Sequence, residues 1–213
     1  MLLKKRLLSG SKLYVILDAQ VNGYDELFEM AKRCITLGVD IVQLRDKLGK
    51  PKEMMGFAKR IMKIRRRKTL LIINDRVDVA KAVNADGVHL GQDDIPVATA
   101  RRILGAKRVI GKSCQSYEQI LKARDEGSDY IGFGSVFKTL TKPERQPMDW
   151  NLLARVAKFK DVPIFFIGGI TLQNMNRLEP LGVRRVAVCR EICLAKDING
   201  TIKDFQRALQ DKH

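Results

Sequence analysis

The chain has 213 residues, 45% hydrophobic and 30% charged, with 16 Gly and 6 Pro. This is globular composition, long enough for a core, and it excludes disordered, collagen-like and membrane-spanning classes. A net charge of +16 makes the surface attract anions, so the identity of that anion is the first functional question.

The chain opens with MLLKKRLLSGSK, which is basic but lacks an apolar run of signal-peptide length followed by a small-residue cleavage site. A cytoplasmic protein with a basic extension over 1–11 is expected. No apolar stretch approaches the roughly 20 residues of a membrane span. Short β-branched runs then alternate with amphipathic stretches, the pattern of repeated βα units. Strands are predicted at 13–17, 40–44, 70–73, 87–90, 108–111, 130–133, 163–167 and 185–188. Helices are predicted between and after them at 24–37, 52–66, 76–83, 97–104, 117–126, 150–159, 172–181 and 202–209. Eight such units close most naturally into a (β/α)8 TIM barrel, one domain over 1–213, somewhat under the roughly 250 residues usual for that fold. A doubly wound sheet is the lesser alternative. Gly38, Gly105, Gly127 and Gly182 stand where helices would end. The one long connection is 134–148, GSVFKTLTKPERQPM, whose length and polarity suit an active-site loop.

Four cysteines (Cys34, Cys114, Cys189, Cys193) form no CxxC pair and read as thiols. Two histidines, one of them the terminal His213, exclude a His-rich zinc site, so any metal should be a hard ion held by oxygen. His89, between Val88 and Leu90, reads as a hydrogen-bonded packing residue and not as a base.

A barrel keeps its chemistry at the C-terminal strand ends, and polar residues collect there: Asp18, the run Gln43-Leu44-Arg45-Asp46-Lys47, Asn74-Asp75, Gln92 to Asp94, Ser113, Gly134 with its loop, Gly168-Gly169, and Cys189-Arg190. Alternation places Gln43, Arg45 and Lys47 on one side of an extended segment. Arg supplies a planar fork for phosphate oxygens and Lys a point charge. Asp75 and Asp94 leave neighbouring strands and suit one magnesium ion completed by phosphate oxygens and waters. Capping of the following helix is the competing reading for each. Thr139-Leu140-Thr141-Lys142 adds hydroxyls and an ammonium, and Gly169 precedes a predicted helix where an anion can sit. The exits thus form two anionic subsites. Arg45, Lys47 and Lys142 with a metal suit a pyrophosphate, and Gly169 with the threonines suits a monophosphate, which implies a joining reaction.

These exits, taken in order as LYVILD, VQLRDK, IINDR, ADGVHLGQDD, IGKS, DYIGFGSVFKTLTK, IGGI and VRRVAVCREI, resemble the thiamine-phosphate synthase family over nearly the whole chain. The resemblance implies a transferase that couples hydroxymethylpyrimidine pyrophosphate to hydroxyethylthiazole phosphate, a magnesium-assisted dissociative substitution releasing pyrophosphate. It implies pyrophosphate contacts at Gln43, Leu44, Arg45, Asp46, Lys47, Asn74, Ser113 and Lys142. Of these, Arg45, Lys47, Ser113 and Lys142 would act on the chemical step. Magnesium ligands at Asp75 and Asp94 are implied as well, with thiazole-phosphate contacts at Thr139, Leu140, Thr141, Gly169, Cys189 and Arg190. No protein nucleophile or strong base is needed, which suits a chain poor in histidine. The sequence departs from the family at Ser135 for proline, Gln115 for histidine, and Cys189-Arg190 for a serine and small residue.

The thiazole tautomerase branch of the same superfamily is the nearest rival, disfavoured because Arg45, Lys47, Asp75, Asp94 and Lys142 are all present and Gln115 stands near where that branch uses histidine. Nucleic-acid binding is suggested by the +16 charge and by KRIMKIRRRK over 59–68. A helix face with Ile61, Met62 and Ile64 packed inward explains that run better, and only 6% of residues are aromatic. The expected partners are small phosphorylated molecules, with no specific nucleic acid and no membrane; a homo-oligomer is compatible with the sequence.

Overall fold

The computed structural model describes residues 3–65 and 68–210. Eight strands pair in chain order, all parallel, and close into a barrel: β1 (Leu13–Asp18), β2 (Ile41–Arg45), β3 (Leu70–Asn74), β4 (Gly87–Leu90), β5 (Val109–Cys114), β6 (Tyr130–Phe133), β7 (Ile164–Ile167) and β8 (Val186–Val188). Helices α1 (Leu3–Gly10), α2 (Tyr24–Thr36), α3 (Pro51–Ile64), α4 (Val77–Ala82), α5 (Val97–Leu104), α6 (Tyr117–Asp125), α7 (Trp150–Ala157), α8 (Arg190–Cys193) and α9 (Ile198–Ala208) complete it. This is the expected (β/α)8 architecture.

Alternation along the strands divides the core in two. Residues such as Leu13, Val15, Leu17, Val42, Leu44, Leu71 and Ile73 face the helices and form the larger apolar cluster. Their neighbours Tyr14, Ile16, Ile41, Leu70, Ile72, Val109, Tyr130, Phe165 and Ala187 fill the barrel interior. The expected basic extension is helical: Leu8 of α1 is 2% exposed and joins this interior cluster at the strand starts. Ser9 accepts through its carbonyl from Arg185 Nη2 at 2.8 Å, which ties α1 to the chain before β8.

The strand boundaries follow the sequence pattern closely, and the four glycines at helix ends all have positive φ. The predicted helix at 172–181 is instead a short 3-10 helix, Met175–Leu181, because Pro180 has no N–H to sustain an α-helix. The predicted last helix begins earlier, at Ile198, where the Asp197 carboxylate caps it by accepting from Gly200 N at 3.0 Å. In the basic run Ile61 is buried and Met62 half-buried, whereas Ile64, expected inward, is 39% exposed at the end of α3. Arg66 and Arg67 of that run, and His213, lie outside the described residues. Among the described residues no helix is long and apolar enough to cross a membrane.

Candidate active site

A cavity of about 490 Å³ opens at the C-terminal ends of the strands. Its floor is the interior face of the barrel at Tyr14, Ile16, His89, Tyr130 and Phe165, and its walls carry Arg45, Lys138, Lys142, Arg145 and Arg190 against the single acid Glu191. Gln43, Asn74, Ser113, Thr139, Leu140, Thr141, Gly169 and Cys189 line it too. Eleven of the predicted site residues therefore share one cavity, from six different strand ends.

The β2 run shows what alternation decides. Gln43 and Arg45 face the cavity, and Arg45 Nη1 is held by both carboxylate oxygens of the buried Asp18 and by Gln20 Oε1 at 3.0 Å. Lys47 reaches the rim, where its ammonium bonds Asp75. The same alternation corrects two expectations. Leu44 is fully buried among residues facing the helices, and Asp46 turns away to clip the loop that follows β2. Asp46 accepts from Tyr24 OH at 2.6 Å, from Gln20 Nε2 at 2.9 Å and from Gly49 N at 2.7 Å. Burial alone would raise its pKa, but those bonds hold it below the usual carboxylate range. Neither residue lines the cavity.

Asp75 adopts φ 59°, a left-handed conformation uncommon outside glycine. Its N–H donates to His89 O at 2.8 Å across the β3–β4 pair, and its carboxylate meets Lys47 and Asp94. The first helical turn of α4 is not capped by it, so the capping reading fails. Asp94 likewise leaves α5 uncapped and accepts from Gly91 N at 2.6 Å. Burial and the bond to Asp94 push Asp75 above the usual carboxylate range, whereas Asp94, despite its burial, is held below it by Asp75 and the Gly91 N–H. Two carboxylates thus face one another at the rim beside a lysine. Among the described residues no cluster of three or more His, Cys, Asp and Glu suits a metal. A pair of carboxylates that leaves most positions to phosphate oxygens and water is the set that magnesium accepts.

The loop after β6 is rooted by Val136 N to Ile167 O and Phe137 N to Gly168 O, both 2.9 Å. Ser135, at the position of the family's proline, donates through Oγ to Phe137 O at 2.8 Å. Gly169 has φ 63°, and a Cβ there would lie 2.3 Å from Lys138 O, so this approach of loop to strand end admits only glycine. Beyond the root, Thr139, Thr141 and Lys142 turn into the cavity while Leu140 is 74% exposed at its edge. Burial, together with Arg145, Lys47 and Arg45, lowers the Lys142 pKa. Cys189 and Arg190 lie at the far end, where α8 begins. Gln115, at the position of the family's histidine, is exposed beside Arg145.

Sequence reasoning missed the floor. Tyr14 and Tyr130 lie inside strand motifs where an aromatic reads as core, and only the lumen-facing register of β1 and β6 marks them as ligand-facing. Lys138 and Arg145 were missed because their positions on an irregular loop carry no period. His89 is the packing residue expected, bonded to Tyr130 OH at 3.0 Å and Ser113 Oγ at 2.9 Å. Burial, with Lys142 nearby, pushes its pKa down to about 3, so the ring is neutral.

A family model described as thiamine monophosphate synthase matches residues 13–192. The thiamine-phosphate synthase of Halalkalibacterium halodurans is 36% identical over 203 residues, 94% of this chain and 96% of that protein. That of Prochlorococcus marinus (strain MIT 9313) is 40% identical over 187 residues, 87% of this chain and 53% of its own, so the chain spans about half the length of this relative. The solved thiamine phosphate pyrophosphorylase of Pyrococcus furiosus superposes with a TM-score of 0.84 at 31% identity, covering 96% of each chain. Coverage of 13–192 takes in every strand and all the site residues above, and the chain belongs to the thiamine monophosphate synthase family.

Proposed function

We propose that the chain is a thiamine-phosphate synthase, joining hydroxymethylpyrimidine pyrophosphate to hydroxyethylthiazole phosphate to give thiamine phosphate and pyrophosphate. The observation that carries this reading is one cavity walled by Arg45, Lys138, Lys142, Arg145 and Arg190, with the Asp75–Asp94 pair at its rim. A single monophosphate does not call for so much positive charge. It suits a pyrophosphate and a second phosphorylated molecule held together.

In the reaction, the bond from the pyrimidine methylene carbon to the pyrophosphate oxygen breaks, and its electron pair leaves with pyrophosphate. The methylene cation so formed is captured by the lone pair of the thiazole nitrogen, and no proton is transferred. Arg45, fixed by Asp18, and Lys142 stand where pyrophosphate gains charge, and Ser113 and Asn74 orient the same group. Asp75 and Asp94 would hold the cation, which when bound adds positive charge to the leaving group. Thr139, Thr141, Gly169, Cys189 and Arg190 receive the thiazole phosphate at the other end of the cavity. Holding both reactants in one enclosed cavity converts the coupling into an oriented encounter.

The test is to supply both substrates to the purified protein, with and without Mg2+, and to follow thiamine phosphate and pyrophosphate together. Stoichiometric, Mg2+-dependent appearance of both is expected. Absence of coupling, with isomerisation of a thiazole phosphate alone, would move the chain to the tautomerase branch.

A further inference from the structure

Beneath the cavity five side chains from five strands form one unbroken series of hydrogen bonds. Gln43 Nε2 on β2 donates to Tyr14 OH on β1 at 2.6 Å. Tyr14 OH meets Tyr130 OH on β6, across the lumen, at 2.9 Å. Tyr130 OH meets His89 Nδ1 on β4 at 3.0 Å, and His89 Nε2 meets Ser113 Oγ on β5 at 2.9 Å. Phe165 packs edge-on against both tyrosine rings at 5.4 and 5.7 Å, and both rings are almost fully buried. Gly111 is open space for this layer, since a Cβ there would lie 2.1 Å from the Tyr130 ring.

Burial together with the hydrogen count gives the direction of the series. Burial raises the pKa of both phenols, so each keeps its hydrogen, and His89 is neutral with one N–H. The five side chains offer five hydrogens for four links, and the Gln43 amide donates the first through nitrogen. A hydroxyl oxygen can accept twice, so His89 donating through Nδ1–H and Ser113 donating to Nε2 would also close the series, but the spare hydrogen would then sit on Tyr14 or Tyr130, both almost fully buried. With Tyr14 OH donating to Tyr130, Tyr130 OH to His89 Nδ1 and His89 through Nε2–H to Ser113 Oγ, the spare hydrogen is that of Ser113, a half-buried residue that lines the cavity. That arrangement leaves no buried hydroxyl hydrogen unpaired.

We propose that Gln43, Tyr14, Tyr130 and His89 act as a single polarised chain that holds His89 as the Nε2–H tautomer and presents Ser113 to the ligand as a hydrogen-bond donor. Tyr14, Tyr130 and His89 are positioning residues, acting through Ser113. A donor with its own acceptor lone pair already engaged selects a ligand atom rich in lone pairs and without hydrogen, such as an ionised phosphate oxygen. The polarity belongs to the protein alone; its use on pyrophosphate rests on the synthase reading. Reversal of the chain would leave Ser113 an acceptor and repel the same atom.

The experiment is long-range 1H–15N correlation of [15N]histidine protein without ligand near pH 7, where His89 and His213 are the only histidines. The expected His89 pattern is a protonated Nε2 and an unprotonated Nδ1. A protonated Nδ1, or an averaged signal like that of a free imidazole, overturns the proposal. Tyr130→Phe keeps the buried ring and removes one link, and it should move His89 toward an averaged pattern; Tyr14→Phe, one link further away, should do so less. Ser113→Ala should leave Nε2 protonated. An unchanged pattern in Tyr130→Phe, or a reversed one in Ser113→Ala, would show that Ser113 sets the ring and would also overturn it. Inorganic pyrophosphate should bind Tyr130→Phe about tenfold more weakly than the native protein, the size of one hydrogen bond. Failure of pyrophosphate to bind the native protein would count against the synthase reading, while the ring signals decide the polarity independently.

Discussion

Arg45 Nη1 lies 2.9 Å from both carboxylate oxygens of Asp18, one buried inside the top of β1 and the other at the end of β2. The Asp18 side chain is 2% exposed and that of Arg45 14%, so the pair is largely shielded from water. Asp18→Ala should destabilise the fold by about 3 kcal/mol, the usual consequence of leaving one member of a buried pair alone. Urea unfolding of the variant measures this. The same change should raise KM for the pyrophosphate substrate, because Arg45 loses the contact that fixes its fork.

Asp75→Asn and Asp94→Asn should each raise the Mg2+ concentration needed for half-activity more than tenfold, with unfolding free energy changed by no more than about 1 kcal/mol. Asn tolerates the left-handed backbone of Asp75, so the amide tests the charge without adding strain. Asp75→Ala should cost roughly 1 kcal/mol more in stability, since alanine has no local bond to support that conformation. Magnesium titration of activity beside thermal unfolding separates the two effects. Unfolding with unchanged metal activation would return Asp75 to a structural role.

Lys142→Ala should slow the chemical step about 10²-fold in single-turnover kinetics while leaving thiazole-phosphate affinity nearly intact. Its lowered pKa sets a pH signature. In the proposed reaction the Lys142 ammonium would bind pyrophosphate, and it is lost as pH rises through a value below that of a free lysine, so activity should fall on the alkaline side earlier than an exposed lysine would allow. In the unfolded chain the group holds its proton more tightly, so its charge in the fold opposes stability below the folded pKa, and that opposition fades as pH rises. An anion in the cavity favours the charged form, so substrate binding on the alkaline limb should take up protons. Calorimetry in buffers of differing ionisation enthalpy would detect the uptake, and its absence in Lys142→Ala would assign it.

Leu8→Ala should cost about 3 kcal/mol, because the side chain closes the interior cluster at the strand starts and its removal leaves a cavity there. The catalytic constants should not change, as this position lies at the far end of the barrel. Denaturant midpoints together with steady-state kinetics check both halves of the expectation.

What the sequence made legible follows from period and from position. Strand exits were readable because a run such as Val42-Gln43-Leu44-Arg45 alternates, and the same rule, applied one residue further, separates Gln43 and Arg45 from Leu44 and Asp46. Asp75 and Asp94 were readable as acids after adjacent strands, but not as carboxylates facing one another, which depends on the left-handed turn at Asp75. The aromatic floor was not readable: Tyr14 and Tyr130 are 116 residues apart, and only closure of the barrel brings their hydroxyls to 2.9 Å. Likewise α1 read as a charged tail because Leu7 and Leu8, which pack on the interior cluster, stand in a basic segment too short to show a period.

Leu8 packs beneath the tyrosine layer at the strand starts, and the cavity opens at the other end, past the loop carrying Thr139 to Lys142. In the proposed reaction both substrates would enter, and both products leave, by that opening. Pyrophosphate held among Arg45, Lys142 and Arg145 would then block the next pyrimidine, and turnover would become a question of how quickly the opening clears.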